Sequence, residues 1–231
     1  MEDTMSRITE ATKIKQKRGT GEGANYLPWI FSREVGSDGT ESVFCDWKHG
    51  RQIQCLSQGE AKVYRYLRWK DDVIDIREQF PLDLKLTLAI ARRLNLPHPR
   101  NRKTHMTTDM VVTYENPDGT RYLTAYSVKP NKNSFDNYAI KNLMIEQAYW
   151  NLQGIKHEII YADDLSKILD TNIKECVRYY DERNIQNPVD AVKHMIARKM
   201  LVVDMETSYI NYAQIAKTFI DSIIKDPLLS A

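Results

Sequence analysis

The stretch Asn116-Pro-Asp-Gly119 constrains this chain more than any other. It lies between two runs of β-forming residues, Asp109–Tyr114 and Arg121–Lys129, and so marks a hairpin. Pro117 suits the second position of a type I turn and Asp118 the third. Gly119 suits the left-handed residue that completes a bulged three-residue loop. A loop of that length pairs Asn116 with Thr120. Counting back pairs Thr113 with Leu123, Val111 with Ala125 and Asp109 with Ser127. Lys129 shares a face with Ser127 because strand side chains alternate. A two-residue loop would shift the register by one and turn Ser127 and Lys129 away. The turn therefore gathers an acid, a hydroxyl and a lysine at one end of one sheet face.

Helical patterns flank the hairpin. Ser57-Gln-Gly-Glu60 opens one, with Val63, Tyr64 and Leu67 at helical spacing after Glu60. Val73–Ile76 reads as a short strand, and Leu84–Leu94 as a helix ended by Pro97 and Pro99. Ser134–Gln153 reads as an amphipathic helix stopped by Gly154, with Ala139, Leu143, Glu146 and Trp150 on one stripe. Glu158–Tyr161 reads as a further strand. Beyond Asp163 only helical patterns follow, over about 164–184, 188–200 and 207–225. Residues 1–50 read as a flexible basic arm, punctuated by Gly19, Gly21 and Gly23, that docks through Tyr26 and Trp29. No G-K-[ST] follows those glycines, so they are no phosphate loop.

Two basic clusters stand out against a net charge of only +2: Lys13, Lys15, Lys17 and Arg18, and Arg92, Arg93, Arg100, Arg102 and Lys103. With Lys132 they are the candidate phosphate contacts, although solvated charge explains such clusters equally well. Cys45, Cys55 and Cys176 stand far apart, which argues against disulfides or a cysteine zinc site and fits a reducing cytoplasm. No apolar run reaches the length of a membrane span, and the start lacks the apolar core of a signal peptide.

Glu60 and Glu146 sit on stripes that must face a sheet, where an uncompensated carboxylate is costly. With Asp109 they make an oxygen-rich set suited to magnesium, or manganese in its place. Such an ion polarises a phosphodiester and lowers the pKa of a water, while Lys129 orients that water and steadies developing charge. Each residue also has a plainer role open to it. Ser57-x-x-Glu60 is a capping-box signature, Asp109 suits a strand-starting turn, Lys129 a surface ion pair and Glu146 a solvated helix face. Ser127 is an ordinary strand residue in most proteins.

The order Glu60 … Asp109 … Ser127-Val-Lys129 resembles the E…D…(E/Q)-x-K pattern of restriction-endonuclease-like nucleases. More specific segments are Arg18–Gly23, Tyr26-Leu-Pro-Trp29, Val73–Leu82, His98-Pro99, Thr107-Thr-Asp109 and Val128-Lys-Pro130. In order and spacing these resemble the TnsA family, the second-strand nucleases of heteromeric transposases, over residues 10–162. The resemblance implies an α/β core with a mixed sheet flanked by helices over 51–162, after the arm at 1–50. It implies a small helical domain for DNA and partner contacts over 163–231. Glu60, Asp109 and Lys129 would be catalytic, with Glu60, Asp109, the Val128 carbonyl, Ser127 and Glu146 around magnesium. Ser127 departs from the glutamine or glutamate of the family and, being shorter, would reach the metal through water. The implied task is cutting the non-transferred strand of double-stranded DNA at transposon ends, at the nucleoid. The implied partners are a TnsB-like transposase and a TnsC-like ATPase. An inactive restriction-fold scaffold and a stand-alone nuclease are the competing readings.

Overall fold

The computed structural model describes residues 8–35, 42–99 and 104–224. The chain divides into two units, Met1–Leu165 and Ser166–Ala231.

The first unit is built on the hairpin. Strands β4 (Thr107–Glu115) and β5 (Arg121–Lys129) pair with Thr113 opposite Leu123 and Val111 opposite Ala125. Gly119 is left-handed at φ 82°. Its N–H donates to Asn116 O (2.9 Å), and Asn116 N–H donates to Thr120 O (2.8 Å), closing the bulged loop that the turn residues require. Strand β3 (Val73–Pro81) pairs antiparallel with β4, and β6 (Lys156–Tyr161) runs parallel to β5. The sheet order is β3-β4-β5-β6. A parallel neighbour needs a crossover, which α4 (Asn137–Leu152) supplies.

Each sheet face carries its own core. Met110, Val112, Tyr126 and Val128 pack with Ala61, Tyr64 and Leu67 of α2 (Gln58–Trp69). Ile53 and Cys55 of β2 (Gln52–Cys55) join them; β2 pairs with β1 (Ser42–Cys45). On the opposite face Val111 and Ala125 pack with Ile90 and Ala91 of α3 (Leu84–Arg93) and Ile145, Tyr149 and Trp150 of α4. Those are the two apolar layers that a mixed sheet between helices demands.

Strand β3 runs five residues beyond the expected Ile76. The polar sequence Arg77-Glu-Gln79 hides the continuation, because Glu78 and Gln79 are buried at 1% exposure each. Glu78 is neutralised by Arg51, whose guanidinium donates to both carboxylate oxygens at 2.8 and 2.6 Å.

The N-terminal segment, where a docking arm was expected, carries α1 (Glu10–Lys15) and meets β3 from Gly19 to Trp29. Tyr26 and Trp29 are buried, as their aromatic character suggested. The Tyr26 hydroxyl donates to Glu78 O (2.9 Å), and Trp29 N–H donates to Gln79 O (3.1 Å). Gly19 is required: a Cβ there would stand 2.1 Å from Pro81 Cγ. The β1–β2 hairpin, Ser42–Cys55, also crosses the boundary expected at residue 50.

The second unit contains α5 (Lys167–Cys176), α6 (Pro188–Ala197) and α7 (Tyr212–Ile224). The helix expected over 164–184 gives way after Cys176 to 3-10 turns at Val177–Tyr179 and Glu182–Asn184. Leu169, Ile173, Val192, Ile196 and Ala216 are buried. Asn172 ties the loop before α7 by donating to Met205 O (2.9 Å) and Ser208 O (2.8 Å). No helix among the described residues is long and apolar enough to cross a membrane.

Candidate active site

Glu60 enters the site from the first turn of α2. Ser57 caps that helix by accepting from Glu60 N–H (3.1 Å), the N-cap half of the capping box. The Glu60 carboxylate is shared further: Oε1 accepts from Ser57 Oγ (3.3 Å), and Oε2 from Leu56 N–H (2.9 Å) and Gln79 Nε2 (3.2 Å). Burial, and next the nearby Asp109 charge, push its pKa up to about 8.

Asp109 sits where β4 and β5 stop pairing, one step beyond Met110 opposite Tyr126. Its Oδ2 takes over the role of a strand carbonyl by accepting from Val128 N–H (2.7 Å). Burial, and then the charge of Glu146, raise the Asp109 pKa to about 6, while Lys129 and the Val128 N–H favour its charged form. Lys129 is half-buried and forms no ion pair among the described residues, so the surface-pair alternative is not realised. Asp109 of β4 is thus coupled to one carboxylate from α2 and another from α4, beside one lysine.

Ser127 is buried at 2% exposure. Its hydroxyl donates to Glu146 Oε2 (2.9 Å) and hydrogen-bonds His157 Nε2 (3.0 Å). Glu146 Oε1 accepts from Thr108 Oγ1 (2.6 Å), which itself accepts from Trp150 Nε1 (2.8 Å). Ser127 therefore anchors Glu146 from behind.

Gln79, Thr108 and His157 escaped the sequence reading. Thr108 carries a signal only in its position beside Asp109. His157 lies one residue before the expected start of the last strand, and only β6 pairing beside Ala125 brings it inward. Gln79 falls in the polar run that concealed the end of β3.

The candidate DNA contacts separate. Arg18 is buried at 4% exposure, and its guanidinium contacts Glu34 at 2.7 and 2.8 Å and Trp29 O at 3.2 Å. With Nε donating to Gln16 Oε1 (2.8 Å) as well, the buried Arg18 holds the N-terminal segment together and is not presented to a phosphate. Lys13 is drawn to Glu34 as well, at 3.5 Å, with its ammonium over Trp29. Lys15 and Lys17 are exposed. Lys132 is exposed, 4.0 Å from Asp164. Arg100, Arg102 and Lys103 lie outside the described residues. His98 is buried against Thr87, a structural role.

Residues 70–162 match the family model described as TnsA-like endonuclease N terminal. The chain is 34% identical over 173 residues to the Transposon Tn7 transposition protein TnsA of Escherichia coli. That match covers 74% of this chain and 63% of the relative, so the chain spans less than two thirds of that protein's length. The mixed α/β fold and the matched sequence agree: this chain is similar to TnsA, and its residues 70–162 are similar to the N-terminal domain of TnsA-like endonucleases.

Proposed function

We propose that this chain is a magnesium-dependent DNA endonuclease that cuts the non-transferred strand at the 5′ ends of a transposon. The observation that carries the reading is the buried Asp109 carboxylate, set between the charges of Glu60 and Glu146 with Lys129 beside it, a placement that a cation would compensate. A buried acid cluster without a compensating charge is a poor way to build an inert scaffold.

The donor set fits magnesium. Among the described residues no three or more His, Cys, Asp or Glu side chains form a ready-made cage. Two carboxylates and a main-chain carbonyl, with waters, are what this hard cation uses. Glu60, Asp109 and the Val128 carbonyl would hold it, with Ser127 and Glu146 behind them acting through water. Manganese would substitute. When bound, the ion polarises the phosphodiester and lowers the pKa of a water.

The chain's own residues do the rest. Val128 N–H and Gln79 fix the acids, and the Lys129 ammonium orients the attacking water and offsets charge gathering on the phosphate oxygens. Water oxygen bonds to phosphorus as the P–O3′ bond breaks, leaving a 3′-hydroxyl and a 5′-phosphate. Lys15, Lys17 and Lys132, with Arg100, Arg102 and Lys103, would grip the duplex backbone. The relative's name, a Tn7 transposition protein, supports work in transposition; the proposed partners, from the resemblance, are a TnsB-like transposase that cuts and joins the 3′ ends and a TnsC-like ATPase.

End-labelled transposon-end duplex, incubated with the chain and its partners, tests this directly. Magnesium-dependent nicks confined to the non-transferred strand, absent with Asp109→Ala, are expected. Nicking unchanged in Asp109→Ala would contradict the proposal.

A further inference from the structure

Gln79 is a strained residue beside the acids. Its φ is +47° and its exposure 1%. Left-handed backbone at a residue other than glycine is costly and persists only where surroundings enforce it. Here the N-terminal segment enforces it. Trp29 N–H holds the Gln79 carbonyl at 3.1 Å, and Tyr26 holds the Glu78 carbonyl at 2.9 Å.

The strain breaks strand alternation. Successive side chains in a strand point to opposite faces. Yet Glu78 reaches Arg51 and Gln54 N–H of the β2 region, and Gln79 reaches Glu60 of α2. Phe80 then packs on the α3–α4 side. Only the left-handed turn brings Gln79 onto the α2 side.

Its amide has a fixed orientation there. Oε1 accepts from Thr107 Oγ1 (3.1 Å), which leaves the NH2 group to face the acids, and Nε2 donates to Glu60 Oε2 (3.2 Å). Asp109 lies opposite Gln79 in the register, between the pairs Glu78–Met110 and Phe80–Thr108. The same amide favours the charged form of Asp109. A carboxylate at position 79 would add repulsion, and a lysine would compete with the cation. A neutral group with two N–H donors does neither.

We propose that Gln79 is a positioning residue, whose amide spans Glu60 and Asp109 and sets their spacing before a divalent cation binds. Trp29 keeps the backbone turned so that it can do so. This rests on the metal-dependent reading of the site.

The test is isothermal titration of the full chain with manganese alone, beside thermal melts in chelator. Wild type, Gln79→Met, Thr107→Val and Asp109→Ala are compared. Methionine keeps the length and flexibility of glutamine and removes both donors. Gln79→Met should melt close to wild type without metal, yet bind manganese about 10–100-fold more weakly, as loss of an outer-shell partner does. Thr107→Val, which frees the amide to flip, should weaken binding in the same direction. Asp109→Ala should lose binding. Manganese binding at wild-type affinity in Gln79→Met, while Asp109→Ala loses it, would overturn the role of Gln79 and leave the metal site standing. If Gln79→Met fails to fold, unchanged affinity in Thr107→Val overturns it. No binding by wild type would overturn both readings together.

Discussion

Glu60 shows how one side chain serves two purposes. The capping signature and the metal-ligand pattern were both open in the sequence; the structure shows the cap and a buried carboxylate shared among Leu56, Ser57 and Gln79, and metal binding is the role proposed for it. Its tertiary neighbours, Gln79 above all, could not be read from spacing. The raised acids give a pH signature. Groups whose folded pKa lies above the unfolded value stabilise at low pH, and that stability is lost as pH rises through the folded pKa. For Glu60 the window runs from 4.5 to about 8, and for Asp109 from 3.8 to about 6. Metal-free protein should therefore lose thermal stability between about pH 5 and pH 8, less so in Glu60→Gln. Added magnesium should restore more at pH 8 than at pH 6, because binding requires deprotonated ligands. Melting temperatures that climb across this window without metal would refute the electrostatic description. Arg18 gives the opposite lesson. Sequence grouped it with Lys15 and Lys17 by charge, whereas folding separates it by burial. Arg18→Ala should cost about 3 kcal/mol in urea unfolding, since it strands Glu34. Replacing Lys15 and Lys17 should leave stability unchanged and flatten the log–log salt slope of DNA binding by about 0.9 for each phosphate no longer neutralised. A flattened salt slope in Arg18→Ala, without loss of stability, would reverse this assignment.

Among elements, the β4–β5 hairpin was legible because its instructions are local. Pro117 and Gly119 dictate the turn, the turn dictates the register, and the register carries Asp109 toward Ser127 and Lys129. Gly119 has open space where a Cβ would stand, so only its φ of 82° resists substitution. Gly119→Ala should cost about 1–2 kcal/mol, and Gly119→Asn less, in equilibrium unfolding. Equal stability of all three would mean that the turn does not set the register. Strand β3 was half-legible for the converse reason. Val73–Ile76 announces itself, but Glu78 is an interior residue only because Arg51, the residue before β2, reaches it. That pairing is tertiary and leaves no periodic trace in the sequence.

At the scale of the whole molecule, the N-terminal segment changes meaning once folded. Its basic, glycine-punctuated sequence suggested a flexible arm docking through Tyr26 and Trp29; those two residues do fasten it, together with Gly19, to the strand that bears Gln79. The helical character after Asp163 was legible, and its break after Cys176 was not, since 3-10 turns share the apolar spacing of a helix end. If the proposed function holds, cutting the chain after Leu165 should leave a folded, manganese-binding unit that no longer engages the proposed TnsC-like ATPase. Retained ATPase binding, in a pull-down with purified components, would place that interaction in the first unit. Hydrolysis of the non-transferred strand by Asp109 and Lys129, as proposed, is reported most directly by transposition products. If these residues act only there, the partner transposase still joins 3′ ends in Asp109→Ala or Lys129→Ala. The element then stays linked to its donor, and replication yields cointegrates. Long-read sequencing of transposition products should show simple insertions with wild type and cointegrates with either variant. Simple insertions at wild-type frequency from either variant would contradict the account.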